Sequence, residues 1–327
     1  MQAAVYRAFG GPEVVRIETV ADPVPKPNEI LIRVRATTVS AADWRLRSLQ
    51  VPAGFGWIVR LVVGPFSPRR PILGTELSGT VAAIGPQVRR FAVGDEVFAY
   101  LGARLGAHAE LCTISEDGAV LHKPPQLSFE ESAAISFGGV TALRFLRDRG
   151  KLQPGEKVLI IGASGAVGSA AVQLAKHLGA VVTGVTSTPN VELVRSLGAD
   201  RVIDYRREDW RQPGESYDLI CDTVGVASIA DATPLLTEQG RLLLVAAGLP
   251  EMLRGVWVSL TGKKKVLSGD ATGTAQDLED LKRIIEAGAY KPVIGQVLPL
   301  SRIAEAHALV DTGHKRGNVI VTVQRGA

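Results

Sequence analysis

Residues 157–180 read KVLIIGASGAVGSAAVQLAKHLGA, and this stretch decides the fold. An apolar strand pattern ends at Ile161, small residues follow, and a helical pattern begins directly after them. The small residues match the phosphate-binding pattern GxGxxG with alanine in the first place, and they are Ala163, Ser164, Gly165, Ala166, Val167 and Gly168. Glycine lets the backbone approach a diphosphate, which the free N–H groups of the helix start then bind. We expect a dinucleotide site here; a tight turn without a ligand is the structural alternative.

The residues around this stretch indicate two kinds of domain. From about Glu156 to 265, apolar strands alternate with helices, which is typical of a doubly wound parallel α/β sheet covered on both faces. The first 125 residues instead contain short apolar runs separated by Gly and Pro, which predict a β-rich, partly closed barrel. Between them, KPPQLSFEESAAI suggests a linker, and Ser128 with Glu131 predicts a capping box that opens a helix. After Lys265 the pattern is mixed again.

Composition excludes several classes of function. The chain has 327 residues, 46% of them hydrophobic and 21% charged, so it can bury a large core. A net charge of +4 with a pI near 9.1 is a mild bias, and we expect no nucleic-acid partner. The longest apolar patch, WIVRLVVGPF, is interrupted by Arg60 and is too short to span a membrane. No signal peptide is visible and only two cysteines occur, so we expect a reducing, cytoplasmic location.

The strand after the glycine turn indicates which dinucleotide is bound. An NAD site usually has Asp or Glu at the end of this strand, where it binds the ribose hydroxyls. Here Thr186, Ser187 and Thr188 occupy that position, so no carboxylate would repel a 2′-phosphate. This favours NADP, although no arginine follows directly. Tyr205 and Arg206 come after the next strand and could close over the adenine end; ordinary surface positions are the alternative.

Catalytic zinc needs three protein ligands, commonly Cys and His. The first domain offers Cys112, His108 and His122, which lack ligand spacing, so we expect no zinc. His108 is more simply explained as a packed or surface residue. A zinc alcohol dehydrogenase is therefore the weaker enzymatic alternative.

Three stretches together resemble the medium-chain dehydrogenase/reductase superfamily: PILGTELSGTVAAIGPQVRRFAVGDEVFAY, GASGAVGSAAVQLAKHLGA and HKRGNVIVTV. The resemblance covers nearly the whole chain. It is greatest to the zinc-free quinone oxidoreductase branch, because VSAADWRLRSL and Gly74-Thr75-Glu76 lack the Cys and His that bind zinc in alcohol dehydrogenases. The segment SAADWRLRSL and the apolar insert before SPRRPILG are most similar to the subgroup of the reticulon-interacting oxidoreductase.

The resemblance implies a GroES-like domain over 1–125, a Rossmann NADP-binding domain over 126–265 and a return to the first domain over 266–327, with the active site between domains. It also implies that Ser164, Gly165, Ala166 and Val167 form the phosphate loop. The other cofactor contacts that it implies are Ser187 and Tyr205 at the adenosine phosphate, Val224, Ala246 and Ala247 beside the ribose and nicotinamide, Thr141 near the nicotinamide, and Gly313, His314, Lys315 and Arg316 in a C-terminal loop. Asn318 and Pro189 depart from the pattern of the subgroup, and the second weakens the NADP assignment.

Without a metal, hydrogen-bond donors must stabilise negative charge that develops on the substrate oxygen. A conjugated enone or quinone delocalises that charge, so we expect NADPH-dependent reduction of such substrates. The candidate pocket groups are Ser40, Asp43 and Thr141; Asp43 could equally be a structural cap, and solvent could supply the proton.

The insert GFGWIVRLVVGPFSPRR could place Trp57, Ile58 and Phe66 over the substrate, with a packing or dimer surface as the alternative. The sequence leaves a homodimer open. The competing function is a dinucleotide-binding redox sensor or structural protein with little turnover.

Overall fold

The computed structural model describes residues 1–212, 214–269 and 272–323. The strands, in chain order, are β1 Gln2–Tyr6, β2 Val15–Thr19, β3 Glu29–Val39, β4 Glu76–Ile84, β5 Glu96–Tyr100, β6 Leu111–Ser115, β7 Val120–His122, β8 Lys157–Ile161, β9 Val181–Thr186, β10 Arg201–Asp204, β11 Tyr217–Asp222, β12 Leu236–Leu244, β13 Lys265–Ser268, β14 Ile294–Pro299 and β15 Asn318–Thr322. The helices are α1 Ala41–Ser48, α2 Gly56–Val63, α3 Phe129–Ala133, α4 Ser136–Leu143, α5 Ala166–His177, α6 Val191–Ser196, α7 Ile229–Ala232, α8 Leu249–Thr261, α9 Ala275–Glu286 and α10 Ile303–Asp311.

The chain divides into two compact units. Unit 1 comprises Met1–Val51, Gly56–Phe137 and Gly273–Ala327, and unit 2 comprises Pro52–Phe55 and Gly138–Thr272. The sequence boundaries at 125 and 265 therefore fall short of the observed ones. The first unit extends further because Ala133 and Ala134, at the end of α3, pack against Ala36 of β3 and Ile320 of β15. The second extends further because β13 still belongs to its sheet.

Unit 2 contains a six-stranded sheet in the order β10-β9-β8-β11-β12-β13, in which every pairing is parallel. Its strands are buried and almost uniformly apolar, as expected when helices cover both faces. The order reverses between β9-β8 and β11. Ligands of doubly wound sheets bind at the carboxyl ends of the strands at such a switch point. The prediction of a Rossmann-type parallel sheet is confirmed.

Unit 1 contains a seven-stranded, mainly antiparallel sheet in which β14-β15-β3-β4-β5-β7 are neighbours in that order, and β6 also pairs with β3. A separate hairpin joins β1 and β2. One apolar core draws residues from β3, β4, β5 and the C-terminal elements α10 and β15. The predicted β-rich first domain and the return of the chain to it are both present in this unit.

Local signals account for several helix starts. Ser128 accepts a hydrogen bond from the N–H of Glu131, whose carboxylate accepts one from the N–H of Ser128, so the predicted capping box is confirmed. Thr274 and Asp277 form the same motif at the start of α9. Each box satisfies two N–H groups that a helix end otherwise leaves without a partner.

Candidate active site

The glycine turn between β8 and α5 joins a buried strand to a helix without a capping side chain. Gly162 has a φ of +81°, a left-handed conformation that favours glycine. The N–H of Gly165 donates to the carbonyl oxygen of Gly162 at 3.1 Å, which closes the turn. Gly165 is the N-cap residue of α5, and no side chain caps this helix. The first N–H groups of α5 therefore have no acceptor within the helix.

The glycines of this turn have different reasons to be glycine. A Cβ on Gly168 would collide with the carbonyl oxygen of Gly162, so close contact of α5 with the turn requires glycine there. A Cβ on Gly165 would come no nearer than 3.5 Å to another protein atom, and its φ of −76° suits any residue. Protein packing thus leaves room for a side chain at Gly165. A diphosphate held against the backbone would fill that space, so the turn fits a dinucleotide.

Thr186 and Tyr205 lie together at the ends of neighbouring strands. The hydroxyl of Thr186 donates to Ser164 Oγ at 2.9 Å, linking the end of β9 to the glycine turn. The N–H of Tyr205 donates to the carbonyl oxygen of Thr186 at 3.0 Å, while 47% of Tyr205 is exposed. Ser187 follows directly and accepts from Asn190 Nδ2 at 3.2 Å. The structure therefore brings these sequence-predicted residues to one edge of one sheet.

Two exposed arginines, Arg206 and Arg207, follow β10 at the same edge. Asp204 precedes them; its carboxylate accepts from the N–H of Arg206 at 3.1 Å and lies 3.4 Å from Arg207 Nε. A hydrogen bond from Thr188 is the main cause that lowers the pKa of Asp204. This carboxylate is already engaged by neighbouring groups, and both guanidinium groups are positioned to offset its charge.

The ends of β11 and β12 complete this edge. The carboxylate of Asp222 accepts from the N–H groups of Val224, Gly225 and Ala227 at 2.7–2.9 Å and so fixes the turn after β11. Burial raises the pKa of Asp222. Val224 is half exposed and lies beside Gly162, where an added Cβ would come within 2.6 Å of Val224 Cγ1.

Ala246 and Ala247, which follow β12, are half-buried. A Cβ on Gly225 would lie 3.2 Å from the carbonyl oxygen of Ala246, so the turns after β11 and β12 are adjacent. Small side chains at this position leave space above the edge of the sheet.

Thr141 lies on α4 and is buried. The same helix contacts the glycine turn: a Cβ on Gly138 would lie 2.6 Å from the carbonyl oxygen of Ala166. Thr141 is three residues further along α4, so unit 2 itself holds it close to the start of α5.

Ser40 and Asp43 belong to unit 1, where they form a capping box at the start of α1. The hydroxyl of Ser40 donates to Asp43 Oδ2 at 2.6 Å, and the N–H of Ser40 donates to the same oxygen at 2.8 Å. Asp43 Oδ1 accepts from the N–H of Gly74 at 2.8 Å. Both side chains are buried, and their polar atoms bind neighbouring parts of the same unit.

Glu76 is a buried carboxyl group that the sequence analysis did not single out. It accepts from Thr38 Oγ1 and from the N–H of Phe137, both at 2.6 Å. Burial raises the pKa of Glu76 to about 7. A carboxylate that opens an otherwise apolar strand, ELSGTVAAI, was the available signal.

The loop that contains Gly313, His314, Lys315 and Arg316 joins α10 to β15 in unit 1. Gly313 has a φ of +70°, and His314 and Arg316 are exposed. Lys315 is half-buried with its ammonium group enclosed, donating to the carbonyl oxygen of Gly317 at 2.6 Å. Burial lowers the pKa of Lys315 to about 8, and the negative charge of Glu76 opposes this shift. With a pKa of about 8, the enclosed ammonium group of Lys315 is still mostly protonated at pH 7, and it binds the backbone of its own loop.

The residues at the positions of zinc ligands do not suit zinc. Ser40 is engaged in the capping box, and Thr75 supplies a neutral hydroxyl. His108 is fully buried, with Nε2 2.8 Å from the carbonyl oxygen of Thr38. Among the residues that the structure describes, no group of three or more His, Cys, Asp and Glu side chains could hold a metal ion.

Comparison with known proteins agrees with this geometry. The alcohol dehydrogenase GroES-like domain family matches residues 26–126, and the zinc-binding dehydrogenase family matches residues 197–321. The chain is 32% identical to the human mitochondrial NAD(P)H oxidoreductase RTN4IP1, over 99% of this chain and 89% of that protein. It is 30% identical to the chloroplastic NADPH-dependent alkenal/one oxidoreductase of Arabidopsis thaliana, over 98% and 79%.

The chain belongs to the medium-chain dehydrogenase/reductase superfamily, in its quinone oxidoreductase-like branch. The structure of the quinone oxidoreductase from Coxiella burnetii is similar to it with a TM-score of 0.87, at 27% identity over 99% of both chains. The oxidoreductase class predicted from the residues is thereby confirmed. No helix within the described ranges is long and apolar enough to cross a membrane.

Proposed function

We propose that this protein is an NADPH-dependent, zinc-independent reductase of quinones or α,β-unsaturated carbonyl compounds. The observation that carries the proposal is the uncapped glycine turn of unit 2. In unit 1, taken by itself, Ser40 and Thr75 stand at the positions of zinc ligands. A nicotinamide cofactor would supply the hydride, and a conjugated acceptor delocalises the charge that then develops.

The residues of unit 2 bind and orient the cofactor. The uncapped start of α5 at Ser164, Gly165, Ala166 and Val167 binds the diphosphate through N–H groups and the helix dipole. Thr186, Ser187 and Tyr205, with Arg206 beside them, bind the 2′-phosphate end. Val224, Ala246 and Ala247 provide a small-residue surface at the nicotinamide end, and Thr141 donates a hydrogen bond there.

In unit 1, Ser40 and Asp43 act by positioning the start of α1. Gly313, His314, Lys315 and Arg316 form a basic loop that supplies positive charge to the cofactor phosphates. The acceptor takes its proton from solvent.

Two further expectations belong to the proposal. We propose a reducing compartment such as the cytoplasm, because Cys112 and Cys221 are both free and two cysteines form no disulfide framework. The curated relatives described above are chloroplastic and mitochondrial. A homodimer stays a proposal that sedimentation velocity would test.

The test is oxidation of NADPH and of NADH, followed by absorbance, with a small quinone and a long-chain enone as acceptors. We expect turnover with NADPH that neither a chelator nor added zinc changes. Loss of activity with a chelator and recovery with zinc would overturn the zinc-independent assignment. Tight NADPH binding without turnover on either acceptor would instead support a redox sensor.

A further inference from the structure

A cluster of buried polar side chains lies where helices α1 and α10 of unit 1 pack together. Arg47 on α1 and His307 on α10 are fully buried, as is His108 in the loop before β6. The rings of His108 and His307 meet edge to face, with their centroids 5.6 Å apart. Arg47 Nη2 forms an ion pair with Asp311 Oδ2 at the end of α10. The contact between the two helices is therefore built around charged and ionisable groups.

Several polar atoms of this cluster have no hydrogen-bond partner among the residues that the structure describes. They are Nε and Nη1 of Arg47, both ring nitrogens of His307, Nδ1 of His108 and Oδ1 of Asp311. His108 Nε2 lies 2.8 Å from the carbonyl oxygen of Thr38, which can only accept, so Nε2 carries a proton. A buried polar group without a partner destabilises a fold. Stability alone therefore gives no reason for two imidazoles at this place in the core.

The surroundings of His307 oppose its protonation. Burial is the main cause that lowers the pKa of His307 well below 6.5, and His108 and the positive charge of Arg47 lower it further. Asp311 follows four residues later on α10, so it lies on the same face of the helix as His307. Its carboxylate already pairs with Arg47. A protonated His307 would therefore repel Arg47 and compete with it for Asp311.

The other elements around α10 supply no free carboxylate to a protonated His307. The helix packs against α1, β2, β3, β14, β15 and the turns Pro12–Val14 and Leu300–Arg302. Asp43 on α1 already accepts hydrogen bonds on both carboxylate oxygens. Tyr6, in the same core, keeps its proton because burial raises its pKa to about 12. The remaining charged side chains of these elements are exposed, half-buried or paired elsewhere, and they are Glu13, Arg16, Glu18, Glu29, Arg33, Arg35, Arg45, Arg302 and Glu305.

We propose that His307, Arg47 and Asp311 form an acid-sensitive latch, which holds α10 against α1 at neutral pH and releases it in mild acid. A positive charge on His307 weakens the ion pair that joins the two helices. Because α10 ends at Asp311, its release also frees the loop that leads from α10 to β15. The latch lies within unit 1, and it does not depend on the proposed reductase activity.

The pH dependence of the latch has a defined sign. The closed latch keeps His307 neutral, whereas in the open state the imidazole takes up a proton below about pH 6.5. The open state then binds more protons than the closed state, so it is favoured as pH falls. Through His307 alone, the opening constant should rise roughly thirtyfold from about pH 7.5 to about pH 5.

The test is hydrogen exchange of the full chain, measured by mass spectrometry at about pH 7.5 and about pH 5. After correction for the intrinsic exchange rate, the opening constant of α1 and α10 should rise at the lower pH, while β8 in unit 2 stays protected. In His307→Gln, whose amide takes up no proton, this rise should be about ten- to thirtyfold smaller. Glu76 titrates in the same interval, but it is present in both proteins and its contribution cancels in the comparison.

The matched control is His177→Gln, which removes an exposed imidazole from α5 and should respond to acid as the wild type does. A rise in His307→Gln within about threefold of the wild type would overturn the proposal. So would an equal loss of protection in α10 and β8, which would show that acid unfolds the whole chain.

A second measurement decides the question if His307→Gln does not fold. In wild-type protein labelled with ¹⁵N at its five histidines, one ring should stay neutral at a pH where the others are protonated. Titration of all five rings near pH 6.5, with the protein still folded, would contradict the latch.

Discussion

The turns before α5 and α1 both lead from a buried strand into a helix. They differ in whether side chains cap the first N–H groups of that helix. At α1, Ser40 and Asp43 satisfy the N–H groups with a complete capping box. At α5, the N-cap residue Gly165 has no side chain, so the first N–H groups of the helix remain available. A capped start stabilises the fold, whereas an uncapped start can bind an anion. The comparison separates polar groups that stabilise the fold from polar groups that are available to bind a ligand. Residue type alone does not make this distinction.

The largest effect is expected when a capping side chain is introduced at the start of α5, as is present at α1. In the variant Gly165→Asp, the added Cβ has room and the backbone is compatible, and the new carboxylate would lie at the proposed diphosphate position. We expect NADPH affinity, measured by fluorescence titration, to fall by roughly a thousandfold, about 4 kcal/mol, because like charges are brought together. The melting temperature should stay the same or rise.

The control is Gly165→Asn, which caps the helix without a charge and should weaken NADPH binding less. If Gly165→Asp bound NADPH as the wild type does, the glycine turn would not be the diphosphate site.

The next largest effect concerns Glu76, the buried acid bonded to Thr38 just before the capped turn. Its pKa is raised in the folded state from 4.5 to about 7, so the folded protein retains a proton that the unfolded chain has lost in this interval. This contribution to stability is therefore favourable at low pH and is lost as pH rises from about 4.5 to 7. We expect Glu76→Gln to remove at most about 3 kcal/mol of that pH dependence, measured by urea unfolding across the interval.

Glu13→Gln, which changes an exposed carboxyl group, serves as the control and should leave the pH dependence intact. Identical pH profiles for wild type and Glu76→Gln would show that the carboxyl group titrates normally.

A smaller effect is expected at the capped turn itself. Ser40→Ala removes one capping hydrogen bond and leaves Asp43 Oδ2 with fewer donors, so stability should fall by about 1.5 kcal/mol. The value of kcat/KM should change less than threefold, because the hydroxyl of Ser40 already donates its hydrogen bond to Asp43 and cannot donate it to a substrate. A loss of kcat above tenfold at unchanged stability would instead make Ser40 a catalytic residue.

Much of the fold could be predicted because local chemistry and global packing agree. The glycine turn, the uniformly apolar strands of unit 2 and the Ser128 capping box all depend on short-range patterns, and each is found where the sequence placed it. The domain boundaries were less accurate, because contacts such as Ala133 with Ile320 join residues far apart in sequence. Helix α8 was missed although Pro250 near its start and the spacing of Leu253, Val256 and Leu260 indicate it.

The residues of the candidate site also fall into those that the sequence could predict and those that it could not. Strand ends follow from the α/β pattern, which placed Thr186 and Tyr205, and the family resemblance added Val224; their contact with a cofactor stays a prediction. Glu76 could not, because its raised pKa depends on burial and on donors from β3 and from Phe137. Nor does the residue type of Asp43 reveal that Ser40 and Gly74 use both of its carboxylate oxygens.

The smallest expected effect sharpens the comparison at the proposed 2′-phosphate end of the cofactor site, where side chains, and not a helix start, would bind the anion. Arg206 is exposed beside Tyr205 and follows a carboxylate, Asp204, that its own N–H already engages. Arg206→Ala should lower the ratio of NADPH to NADH kcat/KM about fivefold, about 1 kcal/mol, because an exposed guanidinium contributes modestly to binding a phosphate. Arg211→Ala is the control, since that guanidinium is paired with Asp209 at 2.9 Å. If the ratio fell equally in both variants, the preference would reflect the overall positive charge of the protein and not a specific contact to the 2′-phosphate.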